Sequence, residues 1–199
     1  MKAALALLSC LALLAAHTAR AADLFMLDQR YGSIAFSVSH FGSFTSLGSF
    51  PRFMGRLLID RLHPEHTKIE VQADAAAVTV PWPDGTELLR GPDFFDAAHH
   101  REVRFTSETI RGLDPRHFEI DGSLEIRGIR RPLTLQATLE REQTDTASGT
   151  QIADFTVTGA LSRAEYGMTS DPIMISDKVR LKIAARIELP AQTPPPQPK

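Results

Sequence analysis

Six histidines follow residue 22 and are the first candidates for chemistry: His40, His63, His66, His99, His100 and His117. Two stand three apart in His63-Pro64-Glu65-His66, but Pro64 and the charged neighbours place that segment on a solvated turn between strands. In His99-His100-Arg101-Glu102 the adjacent arginine disfavours a bound cation. Neither pair has a third ligand at a recognisable spacing, so no metal site is assigned. Gly42-Ser43-Phe44 and Gly48-Ser49-Phe50 lack the Gly-x-Ser-x-Gly elbow that exposes a nucleophilic serine. No nucleotide-binding glycine loop and no paired catalytic carboxylates occur, and no catalytic residue is assigned.

Two polar residues remain. His40 ends an apolar strand face and precedes Phe41-Gly42, a position that suits either a hydrogen-bonded rim histidine or one that meets a ligand head group. Arg163 opens a turn toward Tyr166-Gly167; it is expected to pair with a carboxylate such as Asp93 or Asp96, or else to face a phosphate or quinone oxygen.

The elements that position these residues have the two-residue period of strands. Ile34, Phe36, Val38 and His40 share one face, and Ile69, Val71 and Ala73 alternate with Lys68, Glu70 and Gln72. Phe118, Ile120, Gly122, Leu124 and Ile126 alternate in the same way, as do Leu133 to Leu139, Phe155 to Leu161 and Val179 to Leu189. With Val103-Phe105-Ser107 and Phe53 to Asp60 this makes about eight strands, each with one wet and one apolar face. Such a sheet must pack on another or close on itself. Gly122 and Gly159, in mid-strand on the apolar face, permit a barrel corner or leave room inside. The predicted fold is therefore all-β: an antiparallel barrel of about eight strands with a short helical insertion.

That insertion lies between a strand ending at Val80 and one beginning at Val103. Pro81-Trp82-Pro83-Asp84-Gly85 punctuates, Thr86 to Arg90 can form one or two helical turns, and Gly91-Pro92-Asp93 stops them. Phe94 and Phe95 follow, at least one of them expected to plug the barrel or line its mouth. Phe25, Phe36, Phe41, Phe44, Phe50 and Phe53 cluster early in the chain, and the two groups meet around one pocket if the insertion caps the barrel end where the first strands open.

Composition sets the class. The chain has 199 residues, 43% hydrophobic and 23% charged, with 22 basic against 24 acidic side chains. This describes one globular domain with no basic stripe for nucleic acid or an anionic membrane. Lys2, the apolar run Ala3 to Ala16 and Ala19-Arg20-Ala21 have the form of a signal peptide cleaved after Ala21. Cleavage leaves 20 basic against 24 acidic side chains, net −4, no cysteine, and no transmembrane segment. Cys10, the sole cysteine, lies in the apolar run, which continues beyond it as an h-region does. The proline tract from Pro190 to Lys199 reads as an extended solvated tail. The expected organisation is a signal peptide at 1–21, a barrel domain at 22–189 and a disordered tail at 190–199.

The succession Asp28, Ser33-Ile34-Ala35-Phe36, His40, Gly48-Ser49-Phe50, Phe53-Met54-Gly55, Asp93-Phe94-Phe95-Asp96, Val103-Arg104-Phe105, Gly122 to Gly128 and Ser162 to Gly167 resembles the YceI-like family. The resemblance runs in order from about residue 24 to 189. It implies an exported protein, periplasmic in a bacterium, with a lipocalin-like barrel that binds polyisoprenoid lipids. Three positions depart from the family pattern: Gly32 stands where a histidine is usual, His100-Arg101 where an aromatic-proline pair is common, and Glu125 where threonine is common.

An eight-stranded barrel has an interior just wide enough for side chains or one slender ligand. At about 0.8 kcal/mol per buried methylene, a few isoprene units suffice for micromolar binding after the costs of association. The expected ligand is an isoprenoid chain of quinone or polyprenyl phosphate type, with no other cofactor. The residues expected to line its cavity are Phe36, Val38, His40, Phe50, Phe53, Leu89, Phe94, Phe95, Phe105, Leu124, Arg163 and Met168. The alternative is an envelope protein-interaction module with a filled barrel, and a continuous internal cavity separates the two. Oligomeric state stays open, a homodimer included.

Overall fold

The computed structural model describes residues 23–27, 29–60 and 64–189. The expected signal peptide, Cys10, Asp28, His63 and the proline tail lie outside the described residues. Ten strands run in chain order: β1 (Asp23–Met26), β2 (Ser33–His40), β3 (Phe44–Ser49), β4 (Phe53–Ile59), β5 (Lys68–Asp74), β6 (Glu102–Gly112), β7 (His117–Ile126), β8 (Ile129–Thr144), β9 (Gln151–Ser162) and β10 (Ile175–Leu189). One helix, α1 (Pro83–Arg90), sits between β5 and β6.

The strands form a single antiparallel sheet in the order β1-β4-β5-β6-β7-β8-β9-β10-β2-β3. The sheet curls back on itself, with its β3 edge tied to the segment that follows β5. β3 leads straight into β4 through residues 50–52, and Ser49 and Thr79 exchange backbone hydrogen bonds at 2.9 Å across the gap. Inside the curl lies the apolar face that alternation defines: Ile120, Leu124 and Ile126 of β7 and Leu133, Leu135 and Ala137 of β8 are buried. Turn chemistry fixes the register. At the β7–β8 hairpin Arg127 and Gly128 have φ of 54° and 70°, the primed two-residue turn whose twist matches its strands.

Three details differ from the sequence expectation. Among the described residues there are ten strands where about eight are expected, because β1 has only four residues and β3 mixes exposed and covered side chains without a clean alternation. The strand expected to end at Val80 breaks after Asp74, whose carboxylate accepts the Ala76 N–H at 3.0 Å and starts a 3-10 turn. The helix begins at Pro83, not Thr86, since proline is favoured at the first helical position, where no N–H is needed.

Candidate functional site

The curled sheet encloses a cavity of about 370 Å³. Its lining comes from every strand except β1 and β3, with Leu89 of α1 and the segment after it. Among the described residues, the only side chains on that lining with hydrogen-bonding groups are Thr67, Arg163 and Arg186; the others are aliphatic or phenyl, with Met168. A filled barrel, the premise of the interaction-module alternative, is not what these residues build.

Phe36, Val38, Phe50, Phe53, Leu89, Phe94, Phe95, Phe105, Leu124, Arg163 and Met168 border the cavity. The aromatic groups from the two parts of the chain meet at one end. Phe50 stands 5.6 Å from Phe36 and 5.4 Å from Phe95 between ring centroids, the latter edge to face, the geometry favoured by the ring quadrupole. Phe94 and Phe95, adjacent in sequence, are both buried. Asp96, at φ 47°, turns the chain just after them, and its backbone N–H and that of Phe94 both donate to the Gly91 carbonyl. Phe25, Phe41 and Phe44 do not border the cavity, and the last two are exposed.

His40 is a correction. It shares the face of Phe36 and Val38 but lies beyond the last cavity-lining residue of β2, and its Nε2 is 2.7 Å from the Ser46 hydroxyl. β2 outruns the cavity there, at the hairpin where His40 pairs with Phe44.

Arg163 corrects a pairing. Its guanidinium is only 4% exposed and donates to three backbone carbonyls: Met168 at 2.6 Å, Ile175 at 2.9 Å and Ser176 at 3.2 Å. Asp96 is engaged elsewhere, by His99 at 2.8 Å and His100 at 3.9 Å. The hydrogen bond from His99 holds the Asp96 carboxyl below its ordinary range. His66 and His117 also face carboxylates, Asp60 and Asp114. The imidazoles thus serve local turns.

Sequence reasoning missed the far end of the cavity, where Ile59, Thr67, Ile110, Phe118, Phe155 and Arg186 contribute. Phe118 and Phe155 meet edge to face at 6.2 Å. Their alternation already placed them on the apolar face. Arg186 carried no such signal, because it stands on the polar face of its strand.

Relatives and solved structures agree with this architecture. A UPF0312 protein of Azotobacter vinelandii is 30% identical over 184 residues, covering 92% of this chain and 94% of that protein. One from Pseudomonas savastanoi is 28% identical over 159 residues, with 79% and 82% covered. The fold is similar to that of Burkholderia cenocepacia BcnA at TM-score 0.72 and 18% identity, covering 81% of this chain and 99% of that one. It is also similar to a polyisoprenoid binding domain from Saccharophagus degradans at TM-score 0.61 and 15% identity, with 86% and 100% covered. The YceI-like domain matches residues 25–187, which takes in the whole curled sheet except the two extremes of β1 and β10. The chain belongs to the YceI-like domain family.

Proposed function

We propose that this protein is an exported, periplasmic carrier that holds one isoprenoid chain, of the quinone or polyprenyl phosphate kind, inside its curled sheet. The observation that carries this reading is the continuous apolar cavity. Its volume lies within the ordinary range of small-molecule sites. The polyisoprenoid binding domain among its structural neighbours supports the same ligand class.

The energetics are sufficient. A micromolar complex needs about 8 kcal/mol net, and association itself costs roughly 4–15 kcal/mol. At about 0.8 kcal/mol per methylene, the gross gain is met by roughly 15–29 buried carbons, or about three to six isoprene units. Shielding the chain from water is then the whole mechanism, with no bond made or broken.

The test is native mass spectrometry of the mature protein taken from its own compartment, followed by organic extraction of whatever it carries. A stoichiometric adduct whose mass fits whole isoprene units is expected. A bare protein mass that persists after incubation with quinones and polyprenyl phosphates would overturn the proposal.

A further inference from the structure

β10 turns a row of charge away from the cavity. Val179, Leu181 and Ile183 border the cavity, so Lys178, Arg180 and Lys182, which alternate with them, share the outer face at intervals of about 6.8 Å. All three are exposed. The register sets them among neighbours that carry no charge: Ser162, Ala160 and Thr158 on β9, with Ser37 and Ala35 on β2 beside Arg180 and Lys182. Among the described residues none of the three has an ion-pair partner. Asp177, the nearest carboxylate along the chain, accepts the Ser162 hydroxyl and the Ala164 N–H. Elsewhere on the outer face arginines do find acids, Arg104 with Glu102, Arg111 with Glu119 and Asp121, and Arg130 with Glu125. The expectation of no basic stripe therefore holds for the charge balance of the whole chain but not for this face, which strand pairing assembles.

The row leads to an apolar tip. Before Lys178, residues 171–175 run beside the β2–β3 hairpin: Ile175 pairs with His40, and the Phe41 N–H donates to the Met174 carbonyl at 3.3 Å. Ile173 is 89% exposed, Phe44 71%, Phe41 62% and Met174 47%. Leu47, also exposed, joins tip to row, because it pairs with Ser37, which pairs in turn with Arg180. Asp171 is the sole carboxylate in residues 41–47 and 171–175. Phe41 holds φ at 49°, a left-handed conformation that a bulky side chain adopts only at a cost. Packing does not offset that cost, since the ring is mostly exposed.

We propose that this face docks the protein on an anionic lipid bilayer, the hairpin tip and Ile173-Met174 entering the interface while Lys178, Arg180 and Lys182 lie over the lipid phosphates. Unpaired cations alone complement any polyanion, and exposed apolar side chains alone suit any apolar surface. A bilayer of anionic lipid offers both, negative charge above hydrocarbon. The proposal does not depend on what the cavity holds, since none of these side chains borders it.

The experiment sediments the mature protein with sucrose-loaded vesicles of phosphatidylcholine, alone or mixed equally with phosphatidylglycerol. The wild type is expected to favour the anionic vesicles by about tenfold or more at low salt and to lose that preference at high salt. Replacing Lys178, Arg180 and Lys182 together by Gln should weaken binding to anionic vesicles about a hundredfold, about fivefold per cation. Phe41→Asn with Ile173→Ser should weaken it about tenfold, asparagine being at ease in the left-handed turn. A urea midpoint no lower than that of the wild type shows each variant to be folded. Geranylgeraniol binding should be unchanged in both, which separates this docking face from the cavity. A wild type indifferent to phosphatidylglycerol, or a triple variant that binds as the wild type does, would overturn the proposal. Full vesicle binding by the Phe41 and Ile173 variant would overturn it too, reassigning the cations to a soluble polyanion, for which dextran sulfate is the probe.

Discussion

The two ends of the cavity are built differently. Beneath α1 the wall is sealed: Phe50, Phe53, Phe94, Phe95, Phe105 and Met168 border the cavity and are each under a tenth exposed. At the opposite end Ile59, Ile110, Phe118, Phe155 and Ile187 border the same cavity and are only half-buried. The sealed end has its backbone stitched by a buried guanidinium, while at the open end the half-buried guanidinium of Arg186 pairs with Asp154. Burial is what stabilises, so a side chain at the sealed end contributes more to folding than one of the same kind left half-buried at the other. The open end can then give up packing for access, with its apolar surface left for a ligand to cover.

The sharpest way to break this contrast is to remove one ring from each end. Phe95 packs between Phe50 and Phe36, so Phe95→Ala is expected to cost about 3–5 kcal/mol of stability, read from urea unfolding. Phe118 is half-buried with Phe155 as its aromatic neighbour, so Phe118→Ala is expected to cost about 1–2 kcal/mol. The order reverses for ligand: Phe118→Ala should weaken prenyl alcohol binding by about tenfold, the value of one phenyl surface no longer covered. Equal losses of stability at the two positions would mean that both ends bear the same load.

How much of this was legible in the sequence follows from the same contrast. Alternation reports which face of a strand is apolar, so it found β2 and β4 to β10, the face that lines the cavity and the phenylalanines at the sealed end. It does not report where a strand stops having a neighbour. That is why Arg186 was invisible: its place on the lining follows from β2 ending at Ser33, a fact of tertiary pairing. His40 failed for the complementary reason, its strand outrunning the cavity. The two mid-strand glycines looked alike in sequence but are not. A Cβ at Gly122 would sit 2.3 Å from the Thr106 carbonyl oxygen, a backbone atom that cannot step aside, whereas at Gly159 the nearest atom is a terminal methyl of Leu135 at 2.6 Å. Only at Gly122 does close backbone approach demand glycine.

The two cavity arginines give a second, smaller contrast. Arg163→Met keeps the apolar stem but leaves the carbonyls of Met168, Ile175 and Ser176 without their donor, and should cost about 2–4 kcal/mol. Arg163→Lys should recover only part of this, since one nitrogen cannot serve three separate carbonyls. Arg186→Gln breaks a partly exposed ion pair and should cost under about 1 kcal/mol. A midpoint shift in urea as large for Arg186→Gln as for Arg163→Met would show that the rim arginine is structural.

Titration separates the ends most finely, because each holds a group displaced in the opposite sense. Tyr166, 1% exposed at the sealed end, has its phenol pushed up to about 12, chiefly by burial and then by the charge of Glu165. Its folded value lies above its unfolded one near 10, so its contribution is full below pH 10 and is lost as pH rises toward 12. Asp154 at the rim is displaced downward, first by the hydrogen bond from Arg186 and then by the charges of Arg186 and Arg141 against the cost of burial. Its contribution is present above the ordinary value near 3.9 and fades as pH falls below it. Tyr166→Phe has no proton to lose there, so it should flatten the alkaline limb of a stability profile by about 1–2 kcal/mol at pH 12 and leave the acid limb unchanged. Asp154→Asn should do the reverse, and more weakly, because Asp177 and Asp114 are held low as well and keep most of the acid limb. An alkaline limb that Tyr166→Phe does not alter would mean that the sealed end admits water at high pH, and the distinction between the two ends would then hold only near neutrality.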